Sequence, residues 1–325
     1  MRSNQFFKTI LLAVSISFIV ILLNACTSNT QDVKSLRIGM NTWPGYEPFV
    51  FAKEKGYLQK NVYISRLDSA TDTIKAFKSG IIDVACLTLD EAIILQNSIG
   101  EPIKIITILD FSTGADAIIS TKEIKSMQDL KGKKVGVESS ALGAFMLSRA
   151  VDSTPGLTMN DLNIVYISYE NHETAFDKEN IDAVVTFEPV KTNLLRRNTH
   201  VIFDSMQIPG EILDVMVVKE ETILEKELAL QLLVDGWYES IEHISRNLKS
   251  SLQIMAKYEY ISYEEFKMAY KGIKTPSRDE NKHIFNATLD DSISKISTIL
   301  LKKKLIRKKI NSKNLYSDKF IKKVN

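Results

Sequence analysis

From Leu36 onward the chain alternates short, nearly unbroken apolar runs with longer amphipathic stretches. The runs Leu36–Met40, Val62–Leu67, Val84–Leu87, Ile103–Leu109, Ala117–Ser120, Lys134–Val137, Ile164–Ile167, Ala183–Phe187, Val201–Phe203 and Val215–Val218 read as strands. Short continuous apolar segments bounded by turn residues suit strands covered on both faces. Between them, Asp72–Ser79, Glu91–Ile99, Ala141–Val151 and His172–Lys178 carry helical spacing. Strand–helix alternation predicts βαβ units and mainly parallel sheets. Ile81-Ile82-Asp83-Val84 and Asn180-Ile181-Asp182-Ala183-Val184 are alike, each closing a helix and opening a strand with an acidic turn residue. Two lobes built on one architecture are therefore expected. From Thr222 the strands stop: Leu230, Leu233, Val234, Trp237, Ile241 and Ile244 form one helical stripe, with Trp237 read as core. Helices continue through Ser251–Tyr258, Tyr263–Tyr270 and Asp290–Leu305.

At 325 residues the chain is long for one core. The expected division is a first lobe over 36–120, a second over 121–214, and a return to the first with C-terminal helices over 215–305. Crossings near Gly114–Ser120 and Asp214–Val218 would form a hinge. The ends have their own character. A basic start (Arg2, Lys8) and the apolar run Ile10–Leu23 read as an export signal over 1–25, since the run is short for a membrane span. It closes on Leu23-Asn24-Ala25-Cys26, which resembles the lipobox of bacterial lipoproteins; that resemblance implies cleavage and acylation at Cys26, with 26–35 as a tether. More than one acyl chain gives durable anchoring, because each buried CH₂ contributes about 0.8 kcal/mol. Cys86 is then left without a partner and reads as a buried, inert thiol. The basic tail 306–325, with the lysines just before it, suits either attraction to an anionic membrane or transporter face, or a solvated helix end with a flexible tail.

The candidate chemistry is not catalytic. His172, His200, His243 and His283 are scattered, without HExxH or other metal-ligand spacing, and His172 reads as structural. No Walker loop, dinucleotide GxGxxG or G-x-S-x-G elbow occurs. No enzyme activity, cofactor or metal is expected. Net charge is +2, from 42 basic and 40 acidic residues, and gives no reason for a nucleic-acid partner.

What stands out is the chemistry at the strand ends, where open α/β sheets hold ligands. Asn41, Trp43 and Tyr46 follow the first strand in NTWPGYEPF. Thr88 and Asp90 follow the Cys86 strand; Asp110, Ser112 and Asp116 follow the Ile103 strand. Glu138, Ser139 and Ser140 follow the Val135 strand, Glu188 follows the Val184 strand, and Asp214 opens the return strand. Convergence of these groups on one cleft is expected. Some have a simpler role open to them. Asp90 suits an N-cap as well as a ligand contact, Ser139 or Ser140 suits a cap or an acceptor-binding helix start, and Glu188 before Pro189 suits a structural hydrogen bond or a ligand contact. These loops hold carboxylates and neither arginine nor lysine. A bare oxyanion would be repelled, whereas a ligand with an amine, amidine or ring N–H would gain charge-assisted hydrogen bonds.

These residues resemble the substrate-binding proteins of ABC importers, specifically the nitrate/sulfonate/taurine and thiamine-pyrimidine-precursor group. NTWPGYEPFVFAKEKGYL, KSGIIDVACLTLDEA, DLKGKKVGVESSALGAFML and NIDAVVTFEPV carry the resemblance. It implies an α/β, two-lobed type II periplasmic-binding fold and a monomeric, lipid-anchored extracytoplasmic receptor of a bacterial membrane. Closed over a small molecule, such a receptor docks on a permease served by an ATPase. It also implies ligand contacts at Asn41–Tyr46, Thr88–Asp90, Glu138–Ala141 and Glu188. The cationic anchors of the sulfonate and nitrate branches are missing, which favours an aminopyrimidine-like or taurine-like zwitterionic ligand. Two other roles stay open on the same fold: a co-receptor for a membrane signalling protein, and a pyrimidine-synthase-like enzyme, from which this chain departs in lacking a cysteine cluster.

Overall fold

The computed structural model describes residues 33–138 and 141–322. The expected export signal, Cys26 and most of the tether lie outside the described residues, as do Ser139 and Ser140. In chain order the strands are β1 (Leu36–Met40), β2 (Val62–Arg66), β3 (Val84–Thr88), β4 (Ile103–Ser112), β5 (Asp116–Thr121), β6 (Lys134–Val137), β7 (Asn163–Tyr166), β8 (Ala183–Phe187), β9 (Thr199–Asp204), β10 (Leu213–Lys219) and β11 (Ile273–Lys274). The α-helices are α1 (Glu47–Glu54), α2 (Ala70–Lys78), α3 (Leu89–Ile99), α4 (Ala141–Asp152), α5 (His172–Asp177), α6 (Val190–Leu195), α7 (Glu220–Arg246), α8 (Leu248–Tyr258), α9 (Tyr263–Tyr270), α10 (Arg278–Ala287) and α11 (Leu289–Lys302).

Two sheets form, ordered β11-β4-β10-β3-β1-β2 and β7-β6-β8-β5-β9. Both follow one plan. A central strand (β1, β6) pairs in parallel with the next two, and a reversed strand (β10, β5) then pairs antiparallel with the third strand and with a fourth (β4, β9). The similar Ile81–Val84 and Asn180–Val184 segments occupy equivalent places. Asp83 N–H donates to Arg37 O and its carboxylate accepts from Arg37 N–H; Asp182 does the same with Lys134. In each sheet an aspartate thus ties the third strand to the start of the central one. The interior strands β3 (VACLT) and β8 (AVVTF) are buried at every position, which is why they read as unbroken apolar runs.

The chain changes sheets at Thr113–Ala115 and again over 205–212. The first overlaps the expected crossing near Gly114–Ser120 at its start, and the second precedes the one expected at Asp214–Val218. Residues 116–120, assigned to the first lobe from the sequence, pair with β8 and β9 in the second sheet. Asp214–Val218 is not a crossing but a central strand of the first sheet. The reversed strands are apolar on both faces like any other core strand, so nothing in their composition marks them as the strands that follow a crossing.

Trp237 is fully buried on the Phe49 ring, centroids 4.4 Å apart, as its place on the apolar stripe of α7 requires. Two C-terminal expectations fail. Strands do not end at Thr222, because Ile273–Lys274 adds β11 to the edge of β4. Nor is 306–322 a solvated tail. Leu315, Phe320 and Ile321 are buried, and the backbone of Leu315 and Ser317 hydrogen-bonds Ile105 on β4. The lysines masked a sparse apolar pattern, in which Ile306, Leu315, Phe320 and Ile321 turn inward among mostly exposed residues. Cys86 is buried, and burial pushes its thiol up. Among the described residues no helix is long and apolar enough to cross a membrane.

Candidate functional site

The reversed strands decide which carboxylates meet. Because β10 runs against β3 and β4, its second residue, Asp214, lies beside Thr88 and Asp110 at their carboxyl ends. Likewise Asp116, the first residue of β5, pairs with Phe187, the last of β8. Each sheet thereby adds an aspartate from a strand start to an edge otherwise made of strand ends.

Seven of the expected residues line one small cavity: Asn41, Trp43, Tyr46, Thr88, Asp116, Glu138 and Asp214. Ala70, Glu91, Leu142 and Phe187 complete its wall. Its volume is about 20 Å³, room for about one water. A neighbouring space of about 10 Å³ shares Asp116, Glu138 and Phe187 and reaches His172. A groove of about 760 Å³ runs along the two crossings and α10, but it is lined by residues such as Phe111, Met206, Pro209 and Ile284 and by none of the carboxylates at the shared edge.

The turn after β1 is held by its polar atoms. Trp43 N–H donates to Asn41 Oδ1 at 3.0 Å, the indole Nε1–H donates to Asp110 Oδ2 at 3.1 Å, and the Tyr46 hydroxyl donates to Asp214 Oδ1. Trp43 meets the Phe187 ring edge-on, and Phe187 stacks on Tyr169 at 4.1 Å. Sequence reasoning missed Phe187, Glu91 and Leu142. Phe187 ends an apolar strand and looks like core, yet its place immediately before Glu188 put it at the same strand end.

The remaining expected residues stand elsewhere. Asp90 is not the cap of α3: the helix starts at Leu89, and Thr88 and Glu91 form the capping box, with Thr88 N–H donating to Glu91 Oε2 at 3.1 Å. Asp90 is buried beside this cap, and neither of its carboxylate oxygens has a well-formed hydrogen bond. Asp110 lies behind Trp43 rather than in the cavity wall. Ser112 belongs to the crossings: its hydroxyl meets Ser205 Oγ at 2.7 Å and accepts from Asp116 N–H. Glu188 takes the structural alternative, accepting from Thr192 N–H at 3.0 Å and pairing with Lys191 Nζ at 3.1 Å. Lys191 also corrects the picture of a cation-free edge, since its charge reaches Asp116. It follows Glu188 by three residues, so one turn of α6 brings the two together.

Burial dominates the electrostatics. It pushes Asp90 up to about 6 against the pull of Thr88, and Asp116 up to about 7 against Ser112. Asp214 and Glu91 are raised well above the usual carboxylate range by burial and then by neighbouring carboxylates. His172 is buried between Thr186 Oγ1 and Ile167 O, and burial holds it down to about 4, so it is a neutral structural residue. Among the described residues no group of histidines, cysteines and carboxylates is arranged to hold a metal ion.

The sequence model of the family described as NMT1/THI5 like matches residues 43–243. A Brucella abortus (strain 2308) protein named as a binding protein is 25% identical over 260 residues, 75% of this chain and 76% of its own. The fold matches the alkanesulfonate-binding protein SsuA from Xanthomonas axonopodis pv. citri bound to MOPS, with TM-score 0.72 and 16% identity over 87% of this chain and 98% of that one. It also matches the periplasmic nitrate-binding protein NrtA from Synechocystis PCC 6803, with TM-score 0.71 and 13% identity over 89% and 87%.

Proposed function

The chain belongs to the NMT1/THI5-like family, and from that premise we propose that it is the extracytoplasmic, lipid-anchored receptor of an ABC importer, capturing a small nitrogen-bearing organic molecule without transforming it. The two sheets act as lobes that part at Thr113–Ala115 and 205–212. A cavity of about 20 Å³ is far below the several hundred Å³ typical of ligand sites, so admission of a ligand requires that movement. Closure is favoured only if the ligand contacts both lobes better together than apart. Asn41, Trp43, Tyr46, Thr88 and Asp214 on the first sheet would meet Asp116, Glu138 and Phe187 on the second.

One observation carries the choice of ligand class. The indole and phenol donors at the cavity are already committed to Asp110 and Asp214, and the wall is otherwise rich in carboxylates. The site therefore offers ring faces and carboxyl groups, which a guest bringing its own cationic or N–H donors would draw into the ionised, accepting form. The sulfonate- and nitrate-binding neighbours in fold support an importer role. Their named ligands carry anionic oxygens, which ionised carboxylates in this wall would repel. The test is mass spectrometry of small molecules released from gently purified protein, followed by a thermal-shift screen containing MOPS, taurine, nitrate and aminopyrimidines. Release or stabilisation by an amine-bearing compound is expected; tight binding of nitrate alone overturns the ligand class.

A further inference from the structure

The pairing of Asp110 with Asp214 goes beyond the choice of ligand. They are direct cross-strand partners on β4 and β10, both buried. Asp110 spends Oδ2 on the Trp43 indole, while its Oδ1 is buried with no donor. Asp214 accepts from the Tyr46 hydroxyl. Gly45 sits directly over this arrangement: a Cβ there would come within 2.1 Å of Asp110 Oδ2 and 2.3 Å of Trp43 Nε1. Two adjacent carboxylates out of water cannot both ionise at little cost, and a shared proton gives the orphaned oxygen its partner.

We infer that Asp110 and Asp214 share one proton and act as a single positioning unit, holding the aromatic turn by the only polar side-chain atoms of Trp43 and Tyr46. The titratable groups facing the pair are Tyr46 from the turn, Cys86 on β3, Glu91 on α3, Asp116 on β5 and Tyr270 on α9. None is a cation. Nothing positive therefore replaces the proton, and burial adds to the same effect. With the pair intact, neither the indole nor the phenol can donate to a guest. The consequence for ligand choice rests on the reading above; the pair itself does not.

The test needs no ligand. Full-length protein labelled with ¹⁵N and with ¹³C at aspartate carboxyls is titrated by NMR. The chain has two tryptophans, Trp43 and Trp237, so two indole N–H peaks are read in the same experiment. The Trp43 peak is expected to move with the pair while the Trp237 peak stays, which also reports an intact fold. Asp110→Asn should lower the Asp214 midpoint at least tenfold in acid dissociation constant, because a neighbouring charge is gone. Tyr46→Phe should raise it, because a donor to the carboxylate is gone. An Asp214 carboxyl that titrates with ordinary aspartates, or a midpoint unmoved by Asp110→Asn, overturns the inference. Either failure leaves the ligand proposal standing, since that is decided by what the protein releases.

Discussion

Replacing Gly45 by alanine tests the aromatic turn with a single methyl group. Gly45 does not have a positive φ, so alanine is acceptable to the backbone and any cost is steric. The added Cβ would lie 2.1 Å from Asp110 Oδ2 and 2.3 Å from Trp43 Nε1, the two atoms of one buried hydrogen bond. Both cannot stay. Losing a hydrogen bond to a carboxyl group costs about 1.5–3 kcal/mol, and displacing packed neighbours adds about 1–3 kcal/mol. Taking roughly 2.5–6 kcal/mol together, and about 2 °C per kcal/mol for a chain of this size, Tm should fall by roughly 5–12 °C. Calorimetry gives the stability, and the Trp43 indole peak shows whether its hydrogen bond is lost. Gly56→Ala is the control: its φ is +76° with no atom within 4 Å of a Cβ, so it pays only the backbone term of about 1–2 kcal/mol. If Gly45→Ala melts with the parent protein and the indole peak is unmoved, the hydrogen bond does not lie beneath Gly45 and the positioning argument fails with it.

Four further outcomes follow, three from the same geometry and the last from the proposed lipid anchor. Burial holds His172 down to about 4 against 6.5 in an unfolded chain; the unfolded state therefore takes up the proton first. Its contribution is complete above about pH 6.5 and is lost toward pH 4, by about 3 kcal/mol, and His172→Gln should flatten that segment of a Tm-against-pH curve. Asp116→Asn should weaken ligand binding by about 2–5 kcal/mol, measured by calorimetric titration with the released molecule, whereas Glu188→Gln, acting through Lys191 and the cap of α6, should weaken it far less. Because Asp116 is raised to about 7, its ionisation costs stability as pH rises from the ordinary carboxylate range through 7, so Asp116→Asn should raise Tm at pH 8 and leave it unchanged at pH 3. Cys26→Ser should abolish lipid attachment, read as protein in the soluble fraction and by the mass of the N-terminal peptide.

Much of this was legible in the sequence because burial on both faces leaves a coarse signature. Strands such as β3 and β8 have no solvent-facing positions, so four or five apolar residues between turns identified them. The stripe through Trp237 was equally clear. Strand direction was not legible: β5 and β10 look like their neighbours, and only pairing shows that they run backward. That same reversal explains the uneven reading of the site. Asp116 and Asp214 were singled out because acidic residues at strand boundaries are conspicuous, and both line the cavity, but the partnership of Asp110 with Asp214 depends on register. Glu188 was misjudged for a local reason: Lys191 and the Thr192 N–H, three and four residues on, absorb its charge once α6 winds.

Carboxylates stand at both edges of the first sheet, and their surroundings set the two groups apart. Asp83 lies at the edge where β1 starts. Burial raises it, yet the Arg37 and Lys226 side chains with the Arg37 N–H outweigh burial and hold it below the usual range. It is charged, paired and stabilising, and Asp182 makes the equivalent backbone contacts in the second sheet. At the opposite edge Asp90, Asp110 and Asp214 have the same side chain, but burial dominates and drives them all upward. Folding alone gains nothing from acids left in that condition, and a core of apolar residues would be more stable. A sequence that satisfies its carboxylates at one edge and leaves them under-satisfied at the other departs from local consistency where the two sheets meet. Such departures are expected where stability is given up for function. The proposed guest, cationic or N–H-bearing, would supply the partner that those acids lack.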